Sequence, residues 1–319
     1  MPKHDCILVG PACCDLIFSG LPSMPRMGEE IWAERFDITV GGMMNSAVAM
    51  SRLGLNVGLA AEIGNDTWGD VIAAKMREEG IDTSFVLQYA EPYPQVTVAL
   101  NFRKDRSFIS FADGKNKPLF MRHLYGVVRN SDAQLYHFSA QREYADLIAE
   151  AKKRKRLVSL DASWDERWLQ SAELKRLVSL ADIFMPNLKE AQTITGKQDP
   201  YDAIDELAKT VPVVVIKMGE RGAIAKAGGA VYTAEAIAAK PVDATGAGDC
   251  FVAGFIYGWL RRKRMEDCLK IANYCGGKCV ESVGGYAGAP RLWELLRDLD
   301  MADSPGKGMR ADGPSKSGV

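Results

Sequence analysis

The chain has 319 residues, with 40 Lys+Arg against 41 Asp+Glu, three histidines, 47% hydrophobic and 25% charged residues. That balance fits a soluble globular protein of one large or two ordinary domains, excludes a disordered polyelectrolyte, and offers no basic field for nucleic acid or an anionic membrane. No segment approaches ~18 uninterrupted apolar residues, and the apolar run before Gly10 is too short for a secretory signal, so a cytoplasmic location is expected.

In chain order, Cys6–Val9 reads as a short apolar strand and Glu30–Val40 as an extended segment. Asn45–Leu53 and Trp68–Glu79 have helical periodicity and end at Gly54 and Gly80, the expected C-caps. Gln95–Phe111 alternates Val96, Val98, Leu100 and Phe102 before a charged turn and a return strand. Strands then recur at Gln134–Phe138, Leu157–Leu160, Ile183–Met185 and Val213–Ile216, with helices at Tyr144–Lys155 and Tyr201–Lys209 between them. The alternation predicts βαβ units and a mainly parallel sheet.

The segments Glu30–Val40 and Gln95–Phe111 break that rhythm. They read as a small antiparallel sheet with one covered and one wet face, either a cap for a pocket or a plain surface hairpin. Arg103 and Arg106 in its turn read as solvated charges, with contact to an acidic or phosphorylated ligand as the alternative. Arg291–Asp300 reads as a last helix, and residues 303–319, rich in Gly, Ser, Pro and Lys, as a disordered tail. The seven cysteines lack framework spacing and read as free thiols. Cys275 and Cys279 share a helix face without completing a zinc site, and His4, His123 and His137 show no ligand spacing.

With 30 glycines against a usual ~7%, where they cluster matters. Asp243-Ala-Thr-Gly-Ala-Gly-Asp249 precedes an apolar helix in which Gly254 and Gly258 permit close packing. A small-residue loop at a helix N-terminus presents unpaired N–H groups and the positive end of the dipole, an arrangement that holds phosphate. Asp249 in the first turn could then take a proton from a hydroxyl attacking that phosphate; otherwise it is an ordinary first-turn acid. Upstream, Gly41-Gly42-Met-Met-Asn45 opens another helix, either as an ordinary cap or as a site where Asn45 offers a donor and an acceptor to a polyhydroxyl ligand. Neither cluster is a Walker A loop, and no GxGxxG follows the first strand.

Together and in this order, the two clusters resemble the signatures of the ribokinase-like (PfkB) carbohydrate kinase family. The resemblance runs over about residues 5–300 and includes Asp15, Asn187-Leu-Lys-Glu190, Lys217-Met-Gly219-Glu-Arg-Gly222, Asn273 and Gly284-Gly285. It implies a three-layer α/β/α domain over residues 1–302 with a mainly parallel sheet, and a small β-sheet lid formed by inserted segments at about 11–40 and 93–112. It implies Asp249 as general base and the amides of Gly246, Ala247 and Gly248 as the anion hole. Asn187 and Glu190 would order Mg²⁺ through water; Lys217, Gly219, Gly222 and Asn273 would border ATP; Asp15, Gly42 and Asn45 would bind the acceptor. A K⁺ site beside Asp243–Asp249 and Gly284-Gly285, and a homodimer through the lid, occur in many relatives. The strand at Asp161 lacks the Asp-Pro-Asn of many sugar kinases, and Met43 and Met44 are bulky for their positions, so the acceptor stays open. An ATP-dependent sugar kinase is expected, with a nucleoside kinase of the same fold or a non-catalytic sugar-binding sensor as alternatives.

Overall fold

The computed structural model describes residues 3–102, 106–114 and 117–301. Arg103 and the tail at 303–319 lie outside the described residues. In chain order the strands are β1 (His4–Val9), β2 (Ala12–Leu21), β3 (Arg35–Gly42), β4 (Val57–Ala60), β5 (Glu62–Ile63), β6 (Leu87–Gln88), β7 (Gln95–Phe102) and β8 (Arg106–Ala112). They continue with β9 (Ala133–Ser139), β10 (Leu157–Asp161), β11 (Ile183–Phe184), β12 (Val213–Lys217), β13 (Ala223–Ala227) and β14 (Ala230–Ala234).

The main sheet has the order β14-β13-β12-β11-β10-β9-β1-β4. Its pairs from β12 to β4 are parallel, while β13 and β14 add as antiparallel strands at one edge. Both faces of its parallel part are covered, which is why strands such as β1, β4 and β12 read as continuous apolar runs. Cys6 and Leu8 of β1 and Val213 and Val215 of β12 pack into one core with the helices Met44–Arg52, Ala247–Leu260 and Met265–Cys279. The alternate residues Ile7, Val9, Val214 and Ile216 pack into a second core with Lys117–Asn130, Ala145–Lys153 and Pro200–Leu207. Two cores on one sheet make three layers, helices on either side.

Helix boundaries follow local chemistry. Thr67–Glu78 starts where the Asp66 side chain accepts from Trp68 N and Gly69 N, and ends before Gly80 in the left-handed region. Gly254 and Gly258 bring Ala247–Leu260 against Met265–Cys279: a Cβ at Gly254 would stand 2.8 Å from the Ile271 carbonyl, and one at Gly258 3.0 Å from Cys268 Cα.

The smaller sheet has the order β3-β2-β7-β8. It is mixed, not antiparallel throughout: β2 and β7 run parallel because the chain returns to this sheet only after passing through β4 and the helix Thr67–Glu78. One of its faces carries Asp15, Thr39, Thr97 and Arg106, the other Phe18, Phe36, Leu16, Ile38, Val98, Ile109 and Phe111. That second face is apolar yet uncovered within the chain; Phe36, Ile38, Ile109 and Phe111 are each at least 50% exposed.

Candidate active site

Parallel strands deliver their C-terminal residues to one edge of the sheet, and a crevice outside that edge is where open α/β sheets bind ligands. Here β10 ends on Asp161, β12 ends on Lys217, and Asn187 follows β11 after Met185 and Pro186, forming a bridge with Lys217.

The loop Asp243–Asp249 is fixed by its glycines and by one buried carboxylate. Gly246 caps the helix Ala247–Leu260 in the left-handed region, and a Cβ there would overlap the Gly285 backbone, so glycine is required. Gly285 in turn lies under the Asn45 amide, where another Cβ would collide. Asp243 holds the turn: its Oδ1 accepts from Thr245 N at 2.9 Å and Thr245 Oγ1 at 2.6 Å, and its Oδ2 from Gly284 N at 3.0 Å. Burial pushes its carboxyl up, but those bonds and the Arg106 charge outweigh burial and hold it below the ordinary carboxylate range.

Asp249 stands at the start of the helix that this loop opens. Asn45 Nδ2 donates to Asp249 Oδ2 at 3.0 Å, joining residues 204 positions apart, and Ser46 Oγ donates to the Asp249 carbonyl at 3.4 Å. Burial, and then the charge of Asp161, push the Asp249 carboxyl up to about 6, against the pull of Asn45, Lys217 and Ser46. Asn45 Oδ1 is buried with no hydrogen-bond partner among the described residues, so an acceptor is left open beside the candidate base.

Lys217 is the cation of this cluster. Its Nζ lies 3.4 Å from the position a Cβ would take on Gly248, at the mouth of the loop. Its charge also lowers the carboxyls of Asp161, Glu190 and Asp249. Burial nevertheless pushes Asp161 up to about 6, and its Oδ1 too is buried without a partner among the described residues.

Asn187 and Glu190 form a capping box on the helix Leu188–Thr195: Asn187 Oδ1 accepts from Glu190 N at 2.9 Å, and Glu190 Oε2 from Asn187 N at 2.7 Å. The box turns the Glu190 carboxylate inward, where it is 4% exposed; burial raises it and Lys217 lowers it, with a net rise. Among the described residues no three His, Cys, Asp or Glu side chains converge as a metal cage. One carboxylate beside an amide suits a Mg²⁺ that keeps its waters and binds through phosphate.

The remaining predicted site residues fall into two places. Asp15, on β2, lies over Gly41, accepts from Cys13 Sγ at 3.3 Å, and is pushed up to about 6 by burial. Gly42 has φ +67° and faces the Pro11 carbonyl. At the other end, Gly222 and Asn273 meet on one segment. A Cβ on Gly222 would overlap Ala234 and crowd Ala236, and the Asn273 amide donates at 3.0 Å to the carbonyls of both Ala234 and Glu235. They shape that segment; Gly219, with φ +60°, faces open space.

With this arrangement in view, the comparisons are consistent. Residues 4–292 match the model of the pfkB family of carbohydrate kinases. The chain belongs to that family. The kinase is 26% identical over 306 residues to a ribokinase of Haemophilus influenzae, covering 92% of this chain and 98% of that one. Its fold matches a putative ribokinase II of E. coli in complex with ATP and Mg²⁺, with a TM-score of 0.80 at 22% identity, covering 93% of this chain and 99% of that one. It also matches the nucleoside kinase of Methanocaldococcus jannaschii, with a TM-score of 0.74 at 20% identity, covering 94% and 99%. The enzyme is an ATP-dependent carbohydrate kinase with the ribokinase fold.

Three features of the kinase's site went unread in the sequence. Ser46 lies one position beyond Asn45, and Asp161 lacks the neighbours that mark its position in many sugar kinases; its place at the C-terminal end of a parallel strand is the signal it does carry. Arg106 was expected to be solvated. Instead its Nη1 lies 2.6 Å from Asp243 Oδ1 and 2.8 Å from Thr245 Oγ1, because β8 carries it over the loop.

Proposed function

We propose that the enzyme transfers the γ-phosphoryl group of ATP to a hydroxyl of a small sugar, with Asp249 as general base and the amides of Gly246, Ala247 and Gly248 as anion hole. The observation that carries this reading is the Asn45–Asp249 hydrogen bond, which joins the acceptor motif to the phosphate loop at one carboxylate. Asp15, Gly42 and Asn45 bind the acceptor. Asn45 holds Asp249 through its Nδ2 and offers its unpartnered Oδ1 to a sugar hydroxyl. Asp249 takes the hydroxyl proton as the new O–P bond forms and the bond to the ADP leaving group breaks, a task suited to a carboxyl raised toward neutral pH.

The loop amides and Lys217 stabilise charge on the phosphoryl oxygens in transit, where fixed donors outperform water. Gly219 borders the nucleotide directly, while Gly222 and Asn273 hold the Ala234–Ala236 segment against it. Asn187 and Glu190 would hold Mg²⁺ through its waters, and the ion would supply screening of the phosphate charge. Potassium has no necessary place in this reading, since Arg106 already neutralises Asp243. The small sheet acts as lid over the acceptor, excluding water that would hydrolyse ATP. Its uncovered apolar face supports a homodimer through the lid, since contiguous exposed apolar surface marks an interface. Seven unpaired cysteines support a reducing cytoplasm; among the described residues no helix is long and apolar enough to cross a membrane.

A phosphorylation screen offering sugars and nucleosides side by side, with ATP and Mg²⁺, tests the assignment. Turnover of a sugar that Asp249→Asn abolishes is expected. Turnover of nucleosides alone would replace the sugar with a nucleoside acceptor, and tight sugar binding without any turnover would make the chain a sensor.

A further inference from the structure

The reaction as assigned leaves one ion pair without a role. Asp243 is 8% exposed and sits at the root of the loop whose amides face the phosphoryl group. Thr245 and Gly284 give it only neutral donors. A buried carboxylate with neutral partners alone would leave an uncompensated negative charge where anionic oxygens must approach. The compensating cation comes from the small sheet: Arg106, the first residue of β8 and 137 positions upstream, places Nη1 on Asp243 Oδ1. The same nitrogen reaches Thr245 Oγ1, so it grips both ends of the turn that enters Gly246. The guanidinium also lies 5.6 Å from the ring centroid of Phe108 on the same strand, which limits its freedom.

We propose that Arg106 is a positioning residue, the built-in counter-cation of Asp243, which fastens β8 to the Gly246–Gly248 loop and takes the part an alkali cation would otherwise play there. The inference rests on reading that loop as the phosphoryl site. The neighbouring carbonyls of Thr245 and Gly285 each meet the Cys279 thiol, at 3.5 and 3.4 Å, a weak donor that an alkali cation can displace. Removing the guanidinium leaves the Asp243 carboxylate and the Thr245 hydroxyl without their cation, and the variant, unlike the native chain, should acquire a need for potassium.

The test is thermal unfolding of the full chain without nucleotide, in tetramethylammonium chloride and in potassium chloride at equal ionic strength. Wild type, Arg106→Ala, Asp243→Asn and the double variant are compared. Arg106→Ala is expected to unfold about 2 to 4 °C below wild type and to regain most of that in potassium, while wild type and the double variant move by less than about 1 °C. The proposal is overturned if Arg106→Ala matches wild type in both salts, or if wild type gains as much from potassium as the variant does. Should Arg106→Ala not fold, Arg106→Lys decides: it keeps the charge, so a potassium response there sinks the idea and its absence supports it. With the acceptor from the screen, kcat of wild type stays the same in both salts, whereas Arg106→Ala gains about tenfold or more from potassium. A chain that phosphorylates nothing in either salt ends the kinase reading, while the unfolding comparison still decides the role of Arg106.

Discussion

The loop Asp243–Asp249 and the small sheet beside it are held in place by different means. In the loop, Gly246 meets the Gly285 backbone with no room for a side chain, and Asp243 ties Thr245 and Gly284 to one carboxylate. Gly285 is also braced from behind, because Arg52 Nη1 donates to the Tyr286 and Ala289 carbonyls at 3.0 and 3.1 Å while Glu79 holds its other end. The sheet has one open apolar face, and Arg106 ties it to the loop. Donors for a charge in transit must already be in position before the reaction, since reorienting them would cost what they are meant to contribute. A cover over the acceptor has to open. On the proposed mechanism, the chemistry would be built into the core and closure over the acceptor into the small sheet.

The sharpest way to break this division is at the base. Asp249→Asn should lower kcat by about 10² to 10⁴ with little change in ATP affinity, measured by turnover and by calorimetry with a non-hydrolysable ATP analogue. Near-normal turnover would remove Asp249 from the mechanism. Lys217→Met should cost about 10² to 10³ in kcat, in the range of a lost oxyanion donor, and raise the KM for ATP. An unchanged kcat would show that Lys217 serves Asp161 and Glu190 but not the phosphoryl group.

A subtler change sharpens the electrostatics. Asp249 must be ionised to accept a proton, and its carboxyl is raised to about 6. In wild type kcat/KM should thus fall about tenfold per unit of pH below that point. Asp161→Asn removes a negative neighbour that raises Asp249. Ionisation becomes easier, and the acid limb of the profile should move to lower pH; a limb that stays in place would separate the two carboxyls. The smallest effect on the chemistry is expected at the sheet's outer face. Ile109→Lys or Phe111→Glu should convert a dimer to monomers in sedimentation while the melting temperature of the core stays within about 2 °C. A wild-type monomer in that experiment would leave the apolar face for some other cover.

Much of the fold was legible in advance because its signals are local. Cys6–Val9, Leu157–Leu160 and Val213–Ile216 are short apolar runs, and each is a strand buried on both faces. Gly246 and Asp249 stood out because a glycine loop before an apolar helix has few other uses. The alternation of Gln95–Phe102 likewise announced a two-sided strand, but it could not say that β7 pairs parallel with β2 or that its apolar side faces away from the core.

Strands, caps and the glycine loop before Asp249 can be read along the chain, since each depends on residues within a few positions of one another. The neighbours across space come only from the folded chain. Asn45 meets Asp249 across 204 residues, Arg106 meets Asp243 across 137, and Asp161 comes within electrostatic reach of both Lys217 and Asp249 only through the order of β10, β11 and β12. A carboxyl's pKa and an arginine's partner are set by what lies across space at a few ångströms, and periodicity along the chain carries no record of that.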